Sequence, residues 1–267
     1  MKRLVIVLIT VAVMRLPVHA QRQETGFLNR TVTVASETYR YQVYVPANYS
    51  AGKLWPVVLF LHGAGERGDD GLAQTQTGIG TAIRKNASRF PAIVVFPQVR
   101  LEHRWDDAML DQAVASLEAA TLEFHGDRDR TYLTGLSMGG RGAWKLAAKD
   151  PQRFAALVII AAAVHIPDTW TTNEKETALR ENDFLRNADP FGAIASKIKG
   201  LPIRMFHGDA DMEAPVIESR QMAAALQALA ADVKYTEYEG VPHNSWDRAY
   251  AEADLMTWLL AQRRPTQ

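Results

Sequence analysis

The regular alternation of short apolar runs with segments of helical periodicity is the feature that most restricts how this 267-residue chain can fold. The apolar run 57–61 has the length of one strand and is ended by Gly63. Further strands are predicted at residues 92–96, 130–134, 155–160, 202–206 and 233–238, and helices at residues 108–124, 138–148, 216–229 and 251–261. Continuous apolar runs suit strands that are buried on both faces of a parallel sheet. The pattern therefore predicts an α/β fold with a mostly parallel central sheet and helices on both faces.

Two segments depart from this alternation. Residues 31–45 carry β-branched and aromatic side chains around a short polar turn, which predicts an N-terminal β-hairpin. Residues 165–200 are polar, contain no clear strand and lie between two predicted strands. Loops this long are uncommon unless they carry function. We interpret 165–200 as an insertion, with short helices near 175–185 and 191–198, in a single domain that extends from residue 21 to residue 267.

The N-terminus has the form of a secretory signal peptide. Residues 1–3 include two basic side chains, residues 4–14 are apolar or small, and residues 18–20 place small side chains where signal peptidase needs them. The apolar run is too short to cross a membrane, which takes about 20 such residues. We therefore predict a signal peptide at 1–20, a mature chain that begins at Gln21, and a secreted or periplasmic protein. A buried N-terminal strand is the alternative.

Composition excludes several classes of function. The chain has no cysteine, which excludes disulfides, thiolate metal sites and a cysteine nucleophile. Lys plus Arg equal Asp plus Glu at 30 each, so the charge gives no reason to expect nucleic acid or an anionic surface as a partner. The oligomeric state is not encoded in any pattern that we recognise.

A G-x-S-x-G motif occupies residues 135–139, with Ser137 at its centre. It follows the predicted strand 130–134 and precedes the predicted helix 138–148, which is the context in which this motif marks a nucleophile. The two glycines allow a sharp strand-to-helix turn that exposes the serine hydroxyl at the carboxyl edge of the sheet. The helix N-terminus adds N–H groups and a favourable dipole. A glycine-rich turn with a capping serine is the alternative interpretation.

A second glycine-rich turn, His62-Gly63-Ala64-Gly65, follows the predicted strand 57–61. In hydrolases with a G-x-S-x-G turn, part of the oxyanion hole lies at this point of the fold. We expect the backbone N–H groups of Ala64 and Met138 to stabilise the oxyanion, and losing one such donor typically lowers the rate about 100- to 1000-fold. We interpret His62 as a structural histidine in a tight turn rather than as a proton-transfer group.

The general base is predicted from chain order, which in this type of hydrolase is serine, then acid, then histidine. Beyond the insertion, His207 and His243 follow Ser137. His207 ends a predicted strand and precedes every plausible acid. His243 lies in a loop between the last predicted strand and the last predicted helix, so we predict that it is the base. A surface loop histidine is the alternative.

The acid of the triad has three candidates, Asp209, Asp211 and Glu213, all just past the strand 202–206. The acid holds the imidazole in the correct tautomer and stabilises the imidazolium. Each of the three carboxylates could do this on chemical grounds. Asp209 also has a structural interpretation as the first residue of an Asx turn.

The motifs together resemble one branch of the α/β-hydrolases. His62 to Gly68, Gly135 to Gly140, His207 to Pro215, and His243 with Trp246 are similar to the phospholipase/carboxylesterase and dienelactone-hydrolase-like group, which includes predicted peptidases and feruloyl esterases. The resemblance covers nearly all of residues 38–262 and implies the α/β-hydrolase fold. It implies Asp211 as the acid, from the pattern His-Gly-x-x-Asp-x-x-Val-Pro. Here Ala214 stands where that pattern has Val, and the insertion is longer than in compact members.

These features predict a serine carboxylesterase that works outside the cytoplasm through a Ser-His-Asp triad and an acyl-enzyme, with no metal or organic cofactor. The expected substrate is a small-molecule or polysaccharide-linked ester with a short-chain or aryl acyl group, feruloyl esters being the sharpest version. No stable membrane span is expected. The alternatives are a serine peptidase, a lysophospholipase or thioesterase, and a non-catalytic binding domain.

The residues that would bind the substrate are predicted from their place in the chain. Trp105 follows the predicted strand 92–96 and its loop, and Trp246 lies three residues after His243, so both are expected near the catalytic edge of the sheet. An aromatic wall there could stack on a planar acyl group. Core packing is the alternative for each tryptophan. We expect the insertion 165–200 to contribute to the acyl or alcohol pocket, the alternative being a solvated surface excursion.

Overall fold

The computed structural model describes residues 24–166, 171–181 and 183–264. The predicted signal peptide at 1–20 lies outside the described residues. Within the described part of the chain, no helix combines the length and the apolar character needed to cross a membrane.

The described residues contain one sheet of eight strands. The strands are β1 (Gly26–Val34), β2 (Glu37–Val45), β3 (Trp55–Leu61), β4 (Ile93–Pro97), β5 (Gly126–Leu136), β6 (Ala156–Ile160), β7 (Ile203–Gly208) and β8 (Val233–Tyr238). Their order across the sheet is β1-β2-β4-β3-β5-β6-β7-β8. β1 and β2 form an antiparallel hairpin and β2 pairs antiparallel with β4, whereas all neighbours from β4 to β8 are parallel. The predicted N-terminal hairpin and mostly parallel sheet are confirmed.

Helices cover both faces of this sheet. They are α1 (Ile79–Lys85), α2 (Asp107–Glu123), α3 (Met138–Lys149), α4 (Thr172–Glu181), α5 (Pro190–Ile198), α6 (Val216–Ala228), α7 (Trp246–Ala251) and α8 (Leu255–Ala261). Side chains of α2, α3, α5 and α6 pack in one hydrophobic cluster, and side chains of α1, α7 and α8 pack in the other.

The continuous apolar run of β3 is explained by these two clusters. Val57, Leu59 and Leu61 belong to the cluster on one face, and Val58 and Phe60 belong to the cluster on the opposite face. Because successive side chains of a strand point to opposite faces, a strand covered on both sides needs an apolar residue at every position. Each of these five side chains is fully buried.

The C-terminal helix predicted at 251–261 is wrong in its first part. The structure has two short helices, α7 and α8, because the backbone at Glu252 is extended (φ −51°, ψ 126°) and interrupts the helical path. The carboxylate of Asp254, just before α8, forms an ion pair of 2.9 Å with Arg204 of β7. Helix α1 was not predicted.

The insertion between β6 and β7 contains α4, a short 3₁₀ turn at Asp183–Arg186, and α5. The predicted helix at 191–198 is confirmed as α5, and the predicted helix near 175–185 corresponds to α4, which begins and ends a few residues earlier, and to the 3₁₀ turn. The insertion therefore contains helical structure, and side chains of α5 pack in the same hydrophobic cluster as those of α3 and α6.

The start of the insertion is held from two sides. Glu218 of α6 accepts hydrogen bonds from the backbone N–H groups of Val164 and His165, at 2.8 and 3.0 Å. Arg141 of α3 donates to the carbonyl oxygens of the same two residues. Farther along the insertion, the carboxylate of Glu181 in α4 contacts Lys145 of α3. The chain therefore leaves β6 along a fixed path.

Candidate active site

Ser137 occupies a strained turn between β5 and α3. Its φ of 53° and ψ of −120° lie in a sparsely populated region for a residue with a side chain, at a cost of about 1–3 kcal/mol. Its N–H donates to the carbonyl oxygen of Ile160 in the neighbouring strand, at 2.9 Å. A Cβ on Gly135 would lie 2.3 Å from the carbonyl oxygen of Gly139, and a Cβ on Gly139 would lie 1.9 Å from that of Leu61. The two motif glycines are thus required by close backbone approach.

The structure brings Ser137, His243 and Asp211 together in one hydrogen-bonded row. His243 Nε2 lies 2.9 Å from Ser137 Oγ, and His243 Nδ1 lies 2.6 Å from Asp211 Oδ2. Ser137 follows β5, Asp211 follows β7 and His243 lies between β8 and α7. Because these strands are parallel, their carboxyl ends meet at one edge of the sheet, and three segments distant in sequence converge there.

This arrangement determines the tautomer of His243. Nδ1 faces a carboxylate oxygen, which only accepts hydrogen bonds, so Nδ1 carries the proton. In the neutral ring Nε2 then has a free lone pair and can accept the hydroxyl hydrogen of Ser137. The imidazole therefore has the orientation that a general base needs.

The carboxylate of Asp211 is buried but well supplied with donors. Burial by itself raises its pKa, but hydrogen bonds from the imidazoles of His207 and His243 and from the N–H of Ala214 outweigh burial and hold the pKa well below its usual range. The N–H groups of Glu213 and Ala214 donate to Oδ1 at 2.8 and 2.9 Å. The group is therefore ionised at neutral pH.

The two other candidate acids have different positions. Asp209 Oδ1 accepts the N–H of Gly240 at 2.7 Å, which links the loop after β7 to the loop after β8. Glu213 is 76% exposed, and its nearest oxygen lies 3.8 Å from His243 Nε2 rather than beside Nδ1. Of the three carboxylates, Asp211 is the one in contact with Nδ1, so the geometry favours it as the acid.

His207 is part of this cluster, although sequence reasoning set it aside. It is fully buried, and its Nε2 lies 3.0 Å from Asp211 Oδ2. The signal that could have found it is the four-residue spacing between His207 and Asp211 at the end of a predicted strand. The end of β7 also approaches the loop after β8 closely, since a Cβ on Gly208 would lie 2.0 Å from the carbonyl oxygen of Val241.

The two predicted oxyanion donors belong to segments next to Ser137. Met138 is the first residue of α3, where backbone N–H groups have no partner within the helix. Ala64 begins a 3₁₀ turn, Ala64–Glu66, directly after Gly63. A Cβ on Gly63 would lie 3.8 Å from the Cβ of Ser137, so the turn that contains Ala64 passes next to the serine.

His62 holds this turn in place. The ring is fully buried; its Nδ1 donates to the carbonyl oxygen of Gly63 at 2.6 Å, and its Nε2 accepts the N–H of Val99 at 3.0 Å. Burial lowers the pKa of His62 to about 4, so the ring is neutral at physiological pH. These contacts agree with its interpretation as a structural histidine.

The two tryptophans have different environments. Trp105 is 5% exposed, donates its Nε1–H to the carbonyl oxygen of His62 at 3.0 Å and packs against Gly142 of α3. Trp246 is half-buried, and its ring meets the ring of His243 edge-on, with centroids 5.3 Å apart and an interplanar angle of 89°. Trp105 supports the turn before Ala64, and Trp246 supports the imidazole. Their role in binding an acyl group remains a prediction.

A pocket of about 410 Å³ lies next to Met138. Three parts of the chain line it: the segment before α2, the first two turns of α3, and the insertion. The lining residues from the insertion are Asn173, Ala178, Arg180, Glu181, Phe184 and Leu185. Trp105 and Met138 contribute to the same wall, so the insertion helps to form a cavity whose lining includes the residue that follows Ser137 in the chain; Ser137, Asp211 and His243 do not themselves line it.

A buried ion pair fixes the insertion against α3. The Nζ of Lys145 lies 2.8 Å from Glu181 Oε2, with both side chains largely buried. The same carboxylate oxygen accepts the N–H of Asp107, the first residue of α2, at 2.9 Å. Glu181 thus joins α4 to α3 and α2 at the rim of the pocket. Among the residues that the structure describes, no group of three or more His, Asp or Glu side chains could hold a metal ion.

The eight-stranded, mostly parallel sheet with helices on both faces and a serine on the turn after β5 is the α/β-hydrolase fold. Residues 33–258 match the model of the family described as "Putative esterase", and the chain belongs to that family.

Individual proteins agree with this assignment. A "thermostable esterase" of known structure is 27% identical, with a TM-score of 0.71, and the match covers 89% of this chain and 63% of that one. A "ferulic acid esterase" structure is 15% identical, with a TM-score of 0.69 over 88% of this chain and 97% of that one, which shows the shared fold alone. A protein of Arthroderma benhamiae named "Uncharacterized secreted protein" is 25% identical over 263 residues, which is 90% of this chain. This chain spans 28% of the length of that relative.

Proposed function

We propose that the protein is an exported serine carboxylesterase that hydrolyses short-chain or aryl esters, with Ser137 as nucleophile, His243 as base and Asp211 as acid. The observation that carries the proposal is the hydrogen-bonded row in which His243 joins Asp211 Oδ2 at 2.6 Å to Ser137 Oγ at 2.9 Å. Membership of the esterase family supports the ester bond as the target.

In this proposal each group takes one step of the reaction. His243 Nε2 takes the hydroxyl proton while Ser137 Oγ attacks the ester carbonyl, and the N–H groups of Ala64 and Met138 bind the oxyanion. The imidazolium then protonates the leaving alcohol, and an acyl-enzyme remains. Water attacks the acyl-enzyme with His243 again as base, which restores the serine. Asp211 stays ionised throughout and stabilises the imidazolium.

The pocket supports a preference for a compact acyl or alcohol group. It has a volume of about 410 Å³, the insertion supplies part of its lining, and apolar side chains (Trp105, Met138, Phe184 and Leu185) lie in its wall. Pockets of 300–1,000 Å³ suit small ligands. Feruloyl esters are the most specific substrate class that we propose, since the planar acyl group could stack on an aromatic wall.

A fluorophosphonate probe tests the catalytic assignment. Wild-type protein should be labelled at Ser137, whereas S137A and heat-denatured wild type should not be labelled. Absence of label on folded wild type would favour a non-catalytic binding domain.

A substrate panel tests the ester class. We expect kcat/KM for methyl ferulate and p-nitrophenyl acetate to exceed those for p-nitrophenyl palmitate and a chromogenic peptide. Palmitate ranking first would favour a lysophospholipase or thioesterase, and the peptide ranking first would favour a peptidase. Acetate far above ferulate would reduce the proposal to a general short-chain carboxylesterase.

Export forms part of the proposal. The protein named "Uncharacterized secreted protein" supports it at 25% identity. N-terminal sequencing of protein recovered outside the cytoplasm should begin at Gln21, and a chain that begins at Met1 would contradict the predicted signal peptide.

A further inference from the structure

The Asp211 carboxylate is shared by two imidazole rings. His207, at the end of β7, reaches the same oxygen that binds His243: its Nε2 lies 3.0 Å from Asp211 Oδ2. The same nitrogen lies 2.9 Å from the carbonyl oxygen of Ala214, and Nδ1 lies 2.6 Å from Ser219 Oγ in α6. His207 has no exposed surface, so a substrate cannot touch it.

The partners of His207 determine where its proton lies. Nε2 faces a carboxylate oxygen and a carbonyl oxygen, and both of these groups only accept hydrogen bonds. Nε2 must therefore carry a hydrogen and donate it. Ser219 Oγ can donate or accept, so it satisfies Nδ1 in either protonation state. Ser219 thus holds the ring with Nε2 directed at Asp211.

His207 completes a full set of donors around Asp211. Oδ2 accepts from His207 and His243, and Oδ1 accepts from the N–H groups of Glu213 and Ala214. With four donors, the carboxylate cannot rotate about its Cβ–Cγ bond without breaking hydrogen bonds, and because the Asp211 side chain is fully buried, water cannot replace them. Without His207, the two backbone bonds to Oδ1 would remain, but Oδ2 would be held by His243 alone.

We propose that His207 is a positioning residue that fixes Asp211 Oδ2 at hydrogen-bond distance from His243 Nδ1. The inference rests on the proposed function, in which Asp211 orients the base. His207 acts through Asp211 and takes no part in proton transfer to the substrate. Its loss therefore lowers kcat and leaves KM unchanged, because the ground-state contacts of the substrate do not involve it.

Two amide variants separate this role from simple filling of a buried space. In H207Q the side-chain amide nitrogen can occupy the place of Nε2 and donate to Asp211 Oδ2. In H207N the amide is one atom shorter, so it lies at the level of Nδ1, within reach of Ser219 only. Both variants keep a polar amide in the same cavity, and they differ in which partner they can contact.

We expect H207N to lower kcat on p-nitrophenyl acetate, and the rate of fluorophosphonate labelling at Ser137, by about tenfold or more, since small misplacements of catalytic groups cost up to about 100-fold. H207Q should recover most of that loss. KM should stay constant in both variants, and circular dichroism with thermal unfolding should show that both are folded. Equal losses in the two variants, or a loss that appears in KM, would overturn the proposal.

A double variant tests whether His207 acts through Asp211. Combining H207N with D211N should give a kcat no lower than D211N alone, because the group that His207 positions is already disabled. A multiplied loss would show an independent effect and would overturn the proposal. Failure of the proposed function is distinguishable, since wild-type protein would then neither take the label at Ser137 nor hydrolyse any ester of the panel.

Discussion

Replacing Gly208 with alanine should separate the acid from the base without removing either. Gly208 ends β7, three residues before Asp211, and a Cβ there would lie 2.0 Å from the carbonyl oxygen of Val241, two residues before His243. Real Cβ atoms essentially never approach closer than 3.0 Å, so the two loops must separate by about 1.0 Å. Besides the bond between Asp211 and His243, the two loops are joined by the N–H of Ala210, which donates to the same carbonyl oxygen at 3.1 Å, and by the N–H of Gly240, which donates to Asp209 Oδ1 at 2.7 Å.

We expect a separation of that size to disable the proposed triad. Where it falls along the line between His243 Nδ1 and Asp211 Oδ2, it lengthens their 2.6 Å separation to at most about 3.6 Å, beyond the reach of a hydrogen bond. Misplacement of a catalytic group by about 1 Å costs about 100-fold in rate, so we expect G208A to lower kcat by about that factor. The loss should appear in kcat on p-nitrophenyl acetate with little change in KM.

The matched control is G200A. Gly200 lies just before β7, and a Cβ built on it meets no atom within 4 Å. G200A should therefore keep wild-type kcat and wild-type thermal stability. A folded G208A protein with wild-type kcat would refute the reasoning, because it would show that the two loops can move apart without disturbing the base.

The remaining predictions concern the other groups of the site. S137A and H243A should each lower kcat by about 10⁴-fold or more, and the double variant should be scarcely slower, since triad members act as a unit; additive losses would show a misassignment. D211N should cost far more activity than D209N, measured as kcat on the same ester, and the reverse order would move the acid to Asp209. E181Q, which weakens the attachment of α4 to α3, should change the ratio of kcat/KM between acetate and ferulate esters; an unchanged ratio with lower thermal stability would assign the insertion a purely structural role.

Much of the fold was predictable because it depends on patterns that are local in sequence. A strand buried on both faces must be apolar at every position, so the run at Val57 to Leu61 identified β3 directly. The order of strands is a long-range property: β4 pairs with β3 on one side and with β2 on the other, and no local pattern encodes this. The break between α7 and α8 depends on one extended residue, Glu252, which hydrophobic spacing does not reveal.

The candidate site was predictable to a similar extent. Motif context and chain order predicted Ser137 and His243 as nucleophile and base, and in the structure His243 Nε2 lies 2.9 Å from Ser137 Oγ. They could not separate Asp209 from Asp211 by chemistry, because the choice depends on which carboxylate faces Nδ1 once two loops have met. The contact of His207 with Asp211 was missed for the same reason, since a histidine at the end of a strand is equally compatible with core packing.

The first residues of the insertion are bound through their backbone by two side chains that lie outside it. Arg141 and Glu218 bind the backbone of Val164 and His165, so the hold on the start of the insertion is largely independent of the side chains that follow. Neither side chain lies in the insertion, since Arg141 belongs to α3 and Glu218 belongs to α6. Segments of different length and composition could therefore be exchanged between this point and α5 while the sheet and the Ser137 turn stay as they are. On the proposed function, such an exchange would alter the residues that line the pocket and leave the Ser137–His243–Asp211 row unchanged.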